Sequence, residues 1–163
     1  MPTTIRRLGL VADLDAVAAF YIRAADYWLL ADRRLPDRQK ARAFFTDGPP
    51  GCDPAVSHRL GLFSGADLIG VAELSFGFPL AEDAYLGLML LDPGVRGQGH
   101  GAAFLAQVEA LARARPCPRL YLAVLGANPR GLAFWLRHGF VPTGVNRTDA
   151  DTGHRLQRLV KPL

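Results

Sequence analysis

The residues of this chain best suited to chemistry are main-chain ones. Between positions 92 and 102 the sequence reads Asp92-Pro93-Gly94-Val95-Arg96-Gly97-Gln98-Gly99-His100-Gly101-Ala102. Glycine admits left-handed backbone and close approach to a ligand, so spaced glycines can turn several N–H groups the same way. An apolar run precedes this stretch and a helical pattern follows it. The partial positive charge of a helix N-terminus therefore adds to those N–H groups, and together they suit a pyrophosphate. A bare strand-to-helix turn needs one or two glycines; the four between positions 94 and 101 exceed that.

Two familiar phosphate loops do not match. A nucleoside-triphosphate loop needs Lys and then Ser or Thr after its last glycine, where this chain has Ala102-Ala103. Gly97-x-Gly99-x-x-Ala102 formally fits the dinucleotide fingerprint, but that fingerprint opens a parallel sheet. Here the turn follows three strands that read as antiparallel. The next strand, Leu120 to Leu125, also ends without an acid to hold a ribose. Metal chemistry finds no ligand set either: Cys52 and Cys117 sit in unlike contexts, and His58, His100, His138 and His154 lack ligand spacing. Both cysteines read as free thiols.

The elements that must position the turn can be read from periodicity. Residues 4–9 predict a short strand. Asp13 reads as an N-cap, and Leu14, Val17, Ala18, Tyr21, Ile22 and Ala25 recur at three and four, predicting one amphipathic helix over 13–30. Pro36 opens a second helix containing Arg38 to Thr46, and Gly48-Pro49-Pro50-Gly51 begins a loop to Val56. Residues 58–64 and 68–78, turned by Gly65-Ala66-Asp67, read as an antiparallel hairpin. Residues 84–91 form the most apolar strand, expected to be central and covered on both faces. A helix over 100–115, a strand over 119–125, a helix from Pro129 closed by Gly139, and strands over 140–145 and 154–161 complete the order.

The chain has 163 residues, expected to form one domain over 1–163. Half are hydrophobic and 21% charged, a balance that excludes disorder. No apolar run approaches the roughly 18–20 residues of a bilayer span, and Asp13 and Asp15 interrupt any secretory leader. A soluble cytoplasmic protein with no membrane partner is expected. The net charge of +4 is a small excess. Its one cluster, Arg33-Arg34 through Arg38, Lys40 and Arg42, is diluted by Asp32 and Asp37 and lacks interleaved aromatics. It reads as a solvated helix face rather than a nucleic-acid surface, and leaves room for an anionic small ligand.

Arg96-Gly97-Gln98-Gly99-His100-Gly101 resembles the Arg/Gln-x-x-Gly-x-Gly/Ala loop of the GCN5-related N-acetyltransferases (GNAT). Asn128-Pro129-Arg130-Gly131-Leu132-Ala133-Phe134-Trp135-Leu136-Arg137-His138-Gly139-Phe140 resembles their second signature: Asn, an alanine five on, an aromatic, then Gly-Phe. The two stand in register over residues 84–145, and the element order extends the likeness to nearly the whole chain. The resemblance implies an α/β (α+β) GNAT fold, a mixed, mostly antiparallel sheet of about seven strands with about four helices. It implies acetyl-CoA, or a related acyl-CoA, as donor. Its pyrophosphate would lie on the amides of Arg96, Gly97, Gln98, Gly99, His100, Gly101 and Ala102. Its pantetheine would pair with the backbone of Met89, Leu90 and Leu91 and be reached by Asn128. Transfer would go directly to an amine, so neither cysteine is needed as a nucleophile.

Two positions depart from the family pattern. Where many members place an acidic tyrosine, this chain has Trp135, whose indole N–H has no useful acidity. Trp135 is expected as a wall of the cofactor channel. A thiol of pKa near about 8.5 leaves tolerably as thiolate, helped by water or by Tyr121. Where some members carry a glutamate, this chain has Ala123.

An amine of pKa near about 10 must lose a proton before it attacks, so a base is needed. Glu73, Glu82 and Asp83 are the candidates. Glu82 and Asp83 read as a solvated turn. Glu73 either faces solvent or lines the acceptor cleft, and is the candidate base, acting through water. Of the aromatics in the first helices, Tyr21, Phe44 and Phe45 read as core. Tyr27 and Trp28 are adjacent, so only one of them is expected at the cleft. The expected function is acetylation of a small-molecule primary amine by a monomer or homodimer. A protein or peptide amine, or a non-catalytic acyl-CoA sensor, are the alternatives.

Overall fold

A computed structural model describes residues 2–163. Seven strands form one sheet in the order β1-β2-β3-β4-β5-β7-β6: β1 (Thr3–Arg7), β2 (His58–Ser64), β3 (Asp67–Phe76), β4 (Ala84–Leu91), β5 (Arg119–Leu125), β6 (Val141–Thr148) and β7 (Arg155–Pro162). Every neighbouring pair is antiparallel except β4 and β5, which are parallel. Five α-helices cover it: α1 (Leu10–Arg23), α2 (Ala25–Asp32), α3 (Arg38–Thr46), α4 (His100–Ala114) and α5 (Pro129–Arg137). No helix among the described residues is long and apolar enough to cross a membrane.

Alternation along the strands divides the core in two. Leu60, Leu62, Ala72, Leu74, Leu120 and Leu122 point toward Phe104, Leu105 and Val108 of α4. The opposite face carries Phe63, Leu68, Val71 and Leu90 against Leu14, Val17 and Phe20 of α1 and Phe44 of α3. The functional side chains lie on this second face.

The predicted elements are present, with informative shifts. The single helix expected over 13–30 is two. Ala24 (φ −95°, ψ 26°) breaks it, and the Tyr27 N–H donates to the Ala24 carbonyl, three residues back. Ala24 has no exposure at all, so the bend is held by packing. Asp13 is not the N-cap. Extended Gly9 holds that place, and the Asp13 carboxylate, inside the first turn, accepts the Gly9 N–H at 2.8 Å and the Arg6 guanidinium at 2.9 Å. Asp37, rather than Pro36, starts α3, its carboxylate accepting the Lys40 N–H at 2.8 Å.

Strand β4 is central in order but not covered on both faces. Gly87 is exposed, Leu88 and Met89 are half-buried, and the continuously buried strand is β3. The reason is a bulge: Glu73 pairs with Leu88 and Leu74 with Leu86, so Gly87 is an extra residue on β4. Bulges bend a strand and increase its twist. Beyond it β4 leaves β5, and the two pair only at Ala84–Leu120 and Tyr85–Tyr121. The sheet therefore opens at its middle.

Candidate active site

The glycine turn lies at the end of this opening, between β4 and α4. Gly97 (φ 77°) and Gly99 (φ 88°) take left-handed backbone, and a Cβ on either would meet nothing within 4 Å. Glycine is thus required by conformation, and the space above it is open. Gly99 caps α4 without a side-chain partner. Among the described residues, no protein acceptor takes the N–H groups from Gly97 to Ala102. The Arg96 side chain turns away, donating to the Leu91 carbonyl (3.1 Å) and to Asp26 of α2 (2.6 Å). Its basic charge braces the turn and leaves the row of donors free.

Beside the turn, the β5-facing edge of β4 from Leu86 to Leu91 has no strand partner among the described residues, while its other edge is paired to β3. Such an edge can take an amide-bearing arm as an added strand. Asn128 caps α5, its Oδ1 accepting the Gly131 N–H at 3.0 Å. The aromatic against the start of α4 is Phe134, whose ring would lie 3.1 Å from a Cβ on Gly101. Trp135 instead packs edge-on to Phe140, at the margin of the core.

On the second face lies a cleft of about 890 Å³. Glu73 is at its foot, only 6% exposed, and directly opposite Arg59 in the β2–β3 ladder. Arg59 Nη1 lies 3.5 Å from Glu73 Oε1 and donates to the Phe44 carbonyl, while Nε donates to Ser57 Oγ at 2.8 Å. Arg59 Nη2 is buried without a partner among the described residues. Glu73 Oε2 accepts from Ser75 Oγ at 3.1 Å. Burial pushes the Glu73 carboxyl above the ordinary glutamate range, against the opposing pull of Arg59 and Ser75. Gly87 makes this arrangement possible, since a Cβ there would come within 2.5 Å of Glu73 Oε2.

Tyr27 and Trp28 both line the cleft, although only one was expected there. The break at Ala24 swings α2 over the sheet, and their rings pack edge to face at 5.0 Å. Tyr21 and Phe44 are buried in the core as expected and also form part of the wall. Tyr121 pairs with Tyr85 and Val160 but does not line the cleft, whereas Tyr85 does.

Asp83 is not a solvated turn residue. It has no exposure and holds Arg119 Nε at 2.8 Å, with Glu82 on the same guanidinium at 3.1 Å. Neither acid lines the cleft, and Glu82 faces a smaller hollow formed with Cys117 and Arg115. In the basic cluster, Arg38 pairs with Asp15 on the surface, while Lys40 pairs with Asp32 (2.9 Å) over the Trp28 ring, at the cleft wall.

Comparison with known proteins agrees with this geometry. Residues 18–140 match the model of the acetyltransferase (GNAT) family. An acetyltransferase from Thermus thermophilus has a similar structure, with a TM-score of 0.79, 24% identity, and coverage of 100% of this chain and 98% of that one. The PaiA N-acetyltransferase from Thermoplasma acidophilum, solved in complex with coenzyme A, gives 0.72, 20% and full coverage of both. A ribosomal-protein-alanine N-acetyltransferase from Brucella melitensis gives 0.76, 22%, and 98% and 99%. No curated protein matches the sequence. The chain belongs to the GNAT acetyltransferase family. It is an acyl-CoA-dependent N-acetyltransferase, and its donor is acetyl-CoA.

Proposed function

We propose that this protein acetylates the primary amine of a small molecule, with Glu73 as the general base. The observation that carries the reading is a buried carboxylate at the foot of an aromatic-walled cleft, next to the point where β4 and β5 part. The cleft volume of about 890 Å³ lies within the range of small-molecule sites, about 300–1,000 Å³.

On the donor side, the N–H groups of residues 96–102 would hold the diphosphate, and the free edge of Met89, Leu90 and Leu91 the pantetheine, with Asn128 beside it. Acetyl-CoA supplies a thioester whose acyl carbon is open to a neutral amine. The chain's own residues must deliver that amine. An alkylammonium of pKa near about 10 is mostly protonated at neutral pH. Glu73, raised by burial, is a stronger proton acceptor than a surface glutamate, and the Arg59 charge opposes that rise. It draws the proton through one water. Tyr121, one register back from the cleft on β5, is a weaker candidate for assisting the thiolate than Tyr85, which lines the cleft.

The test is thiol release from acetyl-CoA against a panel of small primary amines. Turnover is expected, with Glu73→Gln lowering kcat/KM by about 10²–10⁴-fold while acetyl-CoA binding is retained. Tight donor binding without turnover on any amine points instead to a sensor, and an unchanged pH profile in Glu73→Gln removes the base.

A further inference from the structure

Charges around the cleft are sorted by position. Lys40 is neutralised by Asp32, and Arg59 is committed to Glu73, Ser57 and the Phe44 carbonyl. Asp47 acts on Arg59 and Glu73, at that same end. At the other end, Arg158 of β7 and Arg147 of β6 both line the cleft, and among the described residues neither has a carboxylate within ion-pair distance. Asp149 offsets Arg147 in part, but its carboxylate is engaged by Thr152 Oγ1 at 2.7 Å.

Their placement is built into the sheet. Between Pro142 and Asn146 the β6–β7 register slips, four steps on β6 against two on β7. After this bulge Arg147 stands opposite Leu156, which shares a strand face with Arg158. Arg158 in turn stands opposite Ala123, whose small side chain leaves room over β5. The Arg158 guanidinium lies 5.1 Å from the Phe78 ring, and Phe78 packs edge-on to Tyr85 at 5.2 Å. It is held by rings rather than by an acid, so its N–H edges stay available for an oxyanion. Both arginines also act on the Tyr85 hydroxyl, so the three groups converge.

Resting on the acceptor reading above, we infer that the acceptor is an amino acid in the broad sense: its amine faces Glu73, and a carboxylate or phosphonate is held by Arg158 and Arg147. Glu73 and Arg158 are three strands apart, and because β4 and β5 part between them, their backbones are farther apart than the roughly 14 Å of three paired strand steps. The two side chains cover only part of that gap, so acceptor length matters.

The test uses the intact chain with saturating acetyl-CoA and matched primary amines of graded length: ω-aminoalkanoates, aminoalkylphosphonates and neutral amino alcohols. The best anionic acceptor is expected to exceed its neutral counterpart at least about 30-fold in kcat/KM, mainly through KM. Arg158→Gln should cut that ratio about tenfold, as for one charge-assisted hydrogen bond, with partial recovery in Arg158→Lys; Arg147→Gln should cut it less. Equal or better use of neutral amines, or a ratio unmoved in both glutamine variants, overturns the inference. If no amine is acetylated, the proposed transfer fails, and the anion site is read separately. Calorimetry with N-acetylated ω-aminoalkanoates and phosphonates should then show binding to the wild type that Arg158→Gln weakens about tenfold. No difference between the two proteins overturns the site itself.

Discussion

The proposed donor side and the proposed acceptor side of this molecule are built by opposite means. The donor side is one contiguous turn, Arg96 to Ala102, plus the free edge of one strand, and its working groups are main-chain N–H and C=O. The acceptor side gathers side chains from α1 to α3 and from β2 to β7, and its central pair, Arg59 and Glu73, meets only across a strand ladder. A backbone site needs the right conformation at a few positions. A side-chain site needs register, burial and charge to agree at once. The two sides should therefore fail differently under mutation.

The largest effect belongs to the acceptor side. Arg59→Met leaves Glu73 as a buried charge without its partner, and should cost about 3–5 kcal/mol of stability, read from denaturant unfolding. Surviving enzyme should show a pH dependence moved to higher pH. Glu73 acts as a carboxylate, burial already raises its pKa, and losing the arginine's charge raises it further. The wild-type acidic limb of kcat/KM should itself lie above the ordinary glutamate range.

Gly87→Ala sharpens the comparison, because it changes no charged group. Its Cβ would crowd Glu73 Oε2 against the Arg59 and Ser75 contacts that pin it. A displaced base should lower kcat/KM by about 100-fold while coenzyme A affinity, measured by calorimetry, stays within about twofold. Gly99→Val is the converse. Left-handed backbone costs a residue with a Cβ about 1–2 kcal/mol, so coenzyme A affinity should fall about 5–30-fold with the Glu73 pH profile unchanged. Loss of both functions in either variant would break the division drawn here.

The smallest effect is expected at the exposed pair Arg96–Asp26, which ties the turn to α2. Asp26→Asn should cost no more than about 1 kcal/mol, less at high salt. The Arg96 hydrogen bond holds the Asp26 carboxyl below its ordinary value. That stabilisation is present above the unfolded-state pKa and lost as pH falls through the folded one, so wild type and variant should converge in acid.

The same contrast explains what could be read in advance. The glycine spacing at 94, 97, 99 and 101 pointed to the proposed donor turn, and at Gly97 and Gly99 the reason is positive φ, a local demand that a local residue type answers. Glu73 was recognisable as a candidate, but Arg59 was missed. Continued from Ser64–Asp67, the hairpin register would set Glu73 against His58. A bulge at Leu62/Phe63 moves it by one, and Arg59 takes the place. Gly87 was a usable sign, since a glycine inside an apolar strand often marks a bulge. Asp83 looked like any acid in a polar turn, but its buried carboxylate is held by Arg119 on β5 as well as by the Leu80 N–H of the turn itself. Trp28 beside Tyr27 is likewise unreadable without the bend at Ala24.

Sequence alone thus determined the family, the order of the strands and of all the helices but the split first one, and the glycine turn proposed to hold the diphosphate. Each rests on interactions within a few residues, periodicity for helices and strands and backbone freedom for the turn. Tertiary structure alone decided which carboxylate became buried and paired, where β4 leaves β5, and which arginines at the cleft lack an acid. Those are properties of groups far apart in the chain. They are set by register shifts of one or two residues at bulges, and a side-chain period of two turns each such shift into a change of face or partner.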